Sequence, residues 1–111
     1  MAKKEDTLNT AINQTLIGLL EEKGISLFKI VIFGSYARAR QREDSDIDII
    51  VVSKDFRDKS LFERVRLTTG IGRQMVHRFK KPIDLLFYSD EEWERSNSLI
   101  LNVARHEGVV L

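Results

Sequence analysis

The sequence predicts an α/β domain in which a small mixed β-sheet has helices on one face and a group of carboxylates on the other. Three segments rich in β-branched and aromatic residues, 27–33, 46–52 and 82–88, are typical of strands. The segments around them place apolar residues at helical spacing. In two of the strands aspartates alternate with apolar residues, which predicts one acidic face and one apolar face.

The composition narrows the classes of protein to consider. The 111 residues are 42% hydrophobic and include 18 Lys and Arg and 17 Asp and Glu, for a net charge of +1. That length is typical of one domain, so we expect a single domain over residues 1–111. The absence of cysteine excludes disulfides, thiolate metal sites and a cysteine nucleophile. No apolar run is long enough for a membrane span or a signal peptide, so we expect a cytoplasmic protein.

The first predicted element is an amphipathic helix that covers one face of the sheet. Its apolar stripe recurs at helical spacing and consists of Leu8, Ala11, Ile12, Thr15, Leu16, Leu19 and Leu20. Gly24 stands where a left-handed residue would end the helix. The first strand follows and ends at Gly34, and residues 35–40 predict a short helical turn before the second strand.

The second half of the chain is predicted to be helical around the third strand. Residues 60–80 keep a helical period, and Gly70 and Gly72 leave open whether they form one helix or two. After the strand, Ser89 and Glu92 form a capping-box pattern that opens a helix. A last helix over residues 98–107, its stop at Gly108 and a short edge strand complete the chain.

Three aspartates on the predicted strands form the first candidate site. Asp46 and Asp48 are two residues apart, so their side chains point to the same face, opposite to Ile47 and Ile49. Asp84 alternates in the same way with its apolar neighbours on the third strand. If the second and third strands are neighbours, the three carboxylates converge and repel one another unless a cation neutralises them. Ligands that are all oxygen favour Mg²⁺, Mn²⁺ or Ca²⁺ over zinc.

A candidate phosphate site lies just upstream of the paired aspartates. Gly34 and Ser35 stand between a strand and a predicted helix start. Glycine allows a ligand to approach the backbone closely, and the free N–H groups of a helix start attract anions. A phosphate site beside a carboxylate metal site is the arrangement needed to bind a metal–triphosphate.

These motifs together resemble a known family. Gly34-Ser35, ten intervening residues and Asp46-Ile47-Asp48 resemble the signature of the DNA polymerase β-like nucleotidyltransferases. The surrounding Gly-Ser-Tyr-Ala-Arg and Ser-Asp-Ile-Asp are similar to those of the small prokaryotic subgroup called minimal nucleotidyltransferases. Asp84 matches the position of the family's third carboxylate. One departure is Ala39, where many relatives have glycine after the arginine.

The resemblance implies a fold, a mechanism and a set of site residues. The fold would be the polymerase β-like core, and the catalytic and metal-binding residues would be Asp46, Asp48 and Asp84. Two Mg²⁺ ions, or Mn²⁺, would link ATP or another nucleoside triphosphate to these carboxylates. Gly34 and Ser35 would hold the outer phosphates, with Arg38 neutralising their charge.

The acceptor is expected to come from a partner, because a chain of this length has no room for a separate acceptor-binding domain. The resemblance implies an antitoxin paired with a small helical HEPN-type toxin, which would receive AMP on a tyrosine; a second copy of the chain is the other candidate partner. Two alternatives stay open at this point: neutralisation of the partner by binding alone, and nucleotidyl transfer to a small molecule such as an aminoglycoside.

One basic segment has no place in this mechanism. Residues 57–81 contain eight lysines and arginines and only two carboxylates. They could form a solvated helix face, or a contact with an acidic partner chain or with RNA. No recognition helix or aromatic RNA-binding motif accompanies them, so we do not expect nucleic acid to be the main partner.

Overall fold

The computed structural model describes residues 4–33 and 46–111 of the chain. In these ranges it contains five α-helices, four strands and one 3₁₀ turn. The helices are α1 (Lys4–Glu22), α2 (Leu61–Leu67), α3 (Ile71–Phe79), α4 (Asp90–Arg95) and α5 (Leu99–Glu107). The strands are β1 (Lys29–Phe33), β2 (Ile47–Val52), β3 (Ile83–Tyr88) and β4 (Val109–Val110), and the 3₁₀ turn is Lys54–Phe56.

The four strands form one mixed sheet in the order β3-β2-β1-β4. β1 pairs antiparallel with both β2 and β4, whereas β2 pairs parallel with β3. A parallel pair needs a long crossover, and the chain supplies it with the 3₁₀ turn, α2 and α3. The mixed α/β fold class predicted from the sequence is thereby confirmed, as is the short edge strand β4.

The larger hydrophobic core lies between one face of the sheet and α1 and α3. Ile12, Leu16 and Leu20 are fully buried at helical spacing on α1, as the apolar stripe predicts. They pack with residues of α3 and with one face of the central strands. The strand and α3 members of this core are Ile30, Ile32, Ile47, Ile49, Val51, Ile71, Met75, Ile83 and Phe87.

The second face of the sheet also carries a core, which refines the predicted layout. Trp93 of α4 and Leu101 and Ala104 of α5 are buried there against the strands. The strand residues of this core are Val31, Ile50 and Val52. The expectation of helices on one face only is therefore corrected. The reason lies in the run Ile49–Val52, because a continuous apolar run belongs to a strand that is covered on both faces.

Two glycines define the ends of helices. Gly24 has a φ of 72° and follows α1, in the left-handed conformation that the sequence predicts. Gly70 has a φ of 88° and separates α2 from α3, so the region 60–80 forms two helices. The predicted capping box of Ser89 and Glu92 is present at the start of α4.

No helix within the described ranges is long and apolar enough to cross a membrane.

Candidate active site

The parallel pairing of β2 and β3 brings two of the predicted carboxylates together. In the register of the two strands Asp48 is paired with Asp84, and Ile49 with Leu85. Neighbouring strands lie about 4.8 Å apart, and paired residues of a sheet point to the same face. The two side chains therefore stand side by side at the beginning of β2 and β3. Asp48 is half-buried, and Asp84 is exposed on the edge strand.

The third carboxylate, Asp46, immediately precedes β2 and is exposed. Its negative charge acts on Asp48, together with that of Asp84. The structure thus places all three predicted aspartates at one end of the sheet, which is the juxtaposition expected if the second and third strands are neighbours. Their catalytic and metal-binding roles remain predictions.

The environment of Asp48 opposes its ionisation. Burial is the largest cause that raises the pKa of this carboxyl group, followed by the charges of Asp84 and Asp46. A hydrogen bond with the side chain of Asp84 raises the pKa further, because it favours a protonated form that can be shared between two carboxylates. Ionised Asp48 therefore lacks a compensating positive charge among the residues that the structure describes.

The chemistry of these residues suits a hard divalent cation. All the donors are carboxylate oxygens, and a cation would relieve the repulsion that acts on Asp48. Within residues 4–33 and 46–111, however, no three His, Cys, Asp or Glu side chains are grouped closely enough to hold a metal ion. The repulsion on Asp48 is compatible with this wider spacing of the carboxylates, because Coulomb repulsion acts over longer distances than a metal–ligand bond. The donors therefore fit a hard cation in chemical type, although the described side chains do not by themselves form a closed metal site.

The predicted phosphate-binding residues Gly34, Ser35 and Arg38 lie outside the described residues. The ends of that gap are described, however. β1 ends at Phe33, whose register partner on β2 is Asp48. The chain thus leaves β1 and returns at Asp46 at the same end of the sheet as the carboxylates.

The structure shows one flanking residue that the sequence analysis did not single out. Phe33 is opposite Asp48 on β1 and shares its face of the sheet, so Asp48 has an aromatic ring on one side and a carboxylate on the other. Phe33 also packs against the second core. The sequence could have drawn attention to Phe33, since it is the last residue before the Gly34-Ser35 motif. Its pairing with Asp48 could not be read from the sequence, because it depends on the strand register.

The sequence of the chain matches a known family over most of its length. The pattern of the polymerase beta nucleotidyltransferase family covers residues 14–108. Two proteins of Methanocaldococcus jannaschii, both named as candidate protein adenylyltransferases, are similar. One is 31% identical over 68% of this chain, and the other is 38% identical over 70% of it. The match covers 50% of the length of the first relative and 75% of the length of the second, so the chain spans only about half of the first relative.

Solved structures share the same fold. A structure of the toxin-antitoxin MntA-HpeT in mutant form aligns with a TM-score of 0.59 and 28% identity, covering 89% of this chain and 70% of that one. A toxin-antitoxin structure with AMP-PNP aligns with a TM-score of 0.61 and 24% identity, covering 87% and 69% of the two chains. A minimal nucleotidyltransferase structure at 21% identity has a TM-score of 0.59 and covers 98% of this chain and 97% of its own.

Proposed function

Because the chain belongs to the polymerase beta nucleotidyltransferase family, as a minimal nucleotidyltransferase, we propose that it transfers AMP from ATP to a hydroxyl group and releases pyrophosphate. The observation that carries this proposal is the register of β2 and β3, which sets Asp48 beside Asp84 with Asp46 close by. The names of the two archaeal relatives favour the adenylyl group over other nucleotides.

We propose for the carboxylates the roles that the family resemblance implies, and their placement at one end of the sheet supports them. Asp46 and Asp48 would hold Mg²⁺ delivered with ATP, and Asp84 would share in binding a second ion. When bound, Mg²⁺ neutralises the phosphate charge and makes the acceptor hydroxyl more acidic. The acceptor oxygen forms its bond to the α-phosphorus while the bond to the pyrophosphate oxygen breaks. Asp84 is exposed on the edge strand, where it can accept the proton of an incoming hydroxyl.

The outer phosphates require positive or N–H donors near the carboxylates. We assign this role to Gly34, Ser35 and Arg38, which follow β1 directly in the sequence. The described part of β1 supports the assignment, since Phe33 is the register partner of Asp48. Catalysis then rests on positioning and charge neutralisation, without a covalent enzyme intermediate.

We propose a tyrosine of a small helical HEPN-type toxin as the acceptor. Two findings support a protein acceptor: the names of the archaeal relatives and the 28% identity with an antitoxin complex. In this proposal the chain is an antitoxin, and the AMP it attaches inactivates the toxin. An aminoglycoside or another small hydroxyl compound is the competing acceptor.

The experiment that tests the transfer uses ATP labelled on the α-phosphate, Mg²⁺ and a co-purified helical partner. We expect label on a tyrosine of the partner and release of unlabelled pyrophosphate. Asp48→Asn should lower the rate by at least about 10²-fold, as expected for a group that stabilises the transition state. The matched control is Asp58→Asn, at an exposed aspartate outside the site, which should label at the wild-type rate. Label on a panel of aminoglycosides instead of the partner would contradict the protein acceptor.

A second candidate function, neutralisation by binding alone, is favoured by the apolar side chains that α2 exposes to solvent. The double variant Asp46→Asn/Asp48→Asn separates the two functions, because it removes the carboxylates and leaves α2 intact. If cells expressing the toxin are still fully protected by the double variant, binding is sufficient. If protection is lost while the complex still forms, transfer is required.

A further inference from the structure

Helix α2 exposes three large apolar side chains on one face. Leu61 is 72% exposed, Phe62 is 70% exposed and Val65 is 53% exposed. Leu61 and Phe62 lie four and three positions before Val65, and residues at these two spacings are neighbours on the surface of a helix. We call these three residues the α2 surface. Single exposed apolar residues are common, but a contiguous group is typical of a protein interface.

The α2 surface is presented on a firmly held helix. Ser60 and Glu63 form a complete capping box at its start. Arg64, on the buried side of the helix, donates hydrogen bonds to the carbonyl oxygens of Phe87 (2.9 Å) and Lys59 (3.1 Å). It also forms an ion pair with Glu92 at 2.6 Å. The inward side of α2 is therefore satisfied by polar contacts with β3 and α4, and its apolar residues are left facing outward.

A groove continues from the α2 surface along the edge of the sheet. It has a volume of about 470 Å³ and runs between α2, α3 and β3. Val65 belongs both to the groove and to the α2 surface, while Leu85 and Phe87 line the groove from β3. An elongated apolar element placed on the α2 surface could thus insert side chains into this groove.

The charges around the groove indicate what can bind there. Lys59 and Arg66 flank the α2 surface, and Arg73 lines the groove. Among the described residues none of these three cations forms a salt bridge, although the charges of Lys59 and Arg66 act on the nearby carboxylate of Glu63. The guanidinium of Arg66 lies 5.1 Å from the ring centre of Phe62. Two copies of the chain meeting through this surface would place like charges together. An acidic partner would instead be attracted by them.

The groove lies close to the proposed catalytic carboxylates, across one strand. Leu85 lines it, and the adjacent residue Asp84 points to the other face of β3. β3 is the edge strand of the sheet, so the groove and Asp84 lie on opposite faces of the same exposed edge. We propose that the α2 surface and the groove dock an amphipathic helix with acidic flanks from a partner protein. Resting on the proposed function, this contact would hold the acceptor hydroxyl near Asp84.

The test uses two synthetic helical peptides and the full chain without nucleotide. Both peptides carry Leu at helical spacing along one face; one has Glu on its flanks, and the other has Lys. We expect the Glu peptide to bind at least tenfold more tightly than the Lys peptide, and the difference to shrink as salt rises. Leu61→Asp should abolish binding. The matched control is Leu99→Asp, at a leucine that is 78% exposed on α5, which should leave binding unchanged.

Three results would overturn the proposal. They are failure of the Glu peptide to bind, equal binding of both peptides, and equal loss of binding in the Leu61→Asp and Leu99→Asp variants. Sedimentation of the peptide-free chain provides a fourth: a dimer that Leu61→Asp dissociates would assign the surface to a second copy. Because no nucleotide is present, a failure of AMP transfer leaves this result unaffected, and the two proposals are tested separately.

Discussion

At the scale of single residues, Asp48 combines partial burial with two negative neighbours. Its pKa is raised by burial first and then by Asp84 and Asp46. A carboxyl group with a raised pKa in the folded protein stabilises the fold while it is protonated. That stabilisation is complete below its unfolded pKa and is lost as the pH rises through its folded pKa. At neutral pH and without metal, the charge of Asp48 therefore opposes folding.

The first prediction follows from the destabilising effect of ionised Asp48 on the fold. In a chelating buffer at pH 7, Asp48→Asn should raise the free energy of unfolding by about 0.5–1 kcal/mol, because it removes a like charge paired across two strands. The difference should shrink as the pH is lowered through the folded pKa of Asp48. Urea unfolding of the wild type and of Asp48→Asn across this pH range measures the difference in the free energy of unfolding. Asp58→Asn is the control, and destabilisation by Asp48→Asn at pH 7 would contradict the prediction.

Arg64 is a second residue whose role differs from what its sequence context suggests. It lies in the basic segment 57–81, which favours a solvated helix face, yet it is buried against Phe87 and Glu92. The prediction for this segment is thus wrong at Arg64, although Lys59 and Arg66 are exposed. The spacing of charges could not reveal this, since the partners come from β3 and α4, far along the chain.

We expect Arg64→Ala to lower the free energy of unfolding by about 2 kcal/mol. The removal of a buried ion-pair partner usually costs about 3–5 kcal/mol, and here the partial exposure of Glu92 screens the pair. The pKa of Glu92 is pushed upward by burial, but hydrogen bonds from Ser89 and Arg64 outweigh this and lower it. Glu92 therefore stabilises the folded protein at pH values above its unfolded pKa, and this stabilisation is lost as the pH falls through its folded pKa.

Thermal and urea unfolding of Arg64→Ala and of Arg66→Ala provide the measurement. Arg66 is an exposed arginine of the same helix, so its substitution should change stability by less than about 0.5 kcal/mol. Equal effects of the two substitutions would show that Arg64 does not anchor α2.

At the scale of elements, glycine conformation explains where the helices end. The sequence left the region 60–80 open between one helix and two, and Gly70 at a φ of 88° decides for two. Other element boundaries agree closely: β2 and β3 lie within the predicted strands, and α5 begins and ends as the Ser98 and Gly108 pattern indicates. The 3₁₀ turn Lys54–Phe56 was missed because its buried Phe56 belongs to no helical or alternating period.

Two glycine substitutions are predicted to have opposite signs. Gly70→Ala should destabilise the protein by about 1 kcal/mol, because alanine is strained at a positive φ. Gly18→Ala should stabilise it by about 1 kcal/mol, because Gly18 lies exposed in the middle of α1, where an added methyl group would meet nothing within 4 Å. The melting temperatures of the two variants, compared with that of the wild type, test these two predictions. A rise for Gly70→Ala would contradict the left-handed conformation.

At the scale of the whole molecule, the fold class and the place of the carboxylates could be predicted from local patterns. Alternation along β2 and β3 indicated which face carries Asp48 and Asp84, and the motif indicated the family. The run Ile49–Val52 carried a signal that the second face is also covered, but the covering residues could not be predicted from it. Trp93, Leu101 and Ala104 meet the sheet only because the chain returns over its second face. The α2 surface was likewise hidden, since Leu61, Phe62 and Val65 fit a helical period whether they face inward or outward.

The central claim is that the carboxylates at the beginning of β2 and β3 bind a metal–nucleotide. Calorimetric titration of ATP into the full chain, with and without Mg²⁺, tests it most directly, with Asp46→Asn/Asp48→Asn and the Asp58→Asn control titrated in parallel. We expect binding that requires Mg²⁺, persists in the control and disappears in the double variant. Binding of equal strength without Mg²⁺, or in the double variant, would contradict the claim.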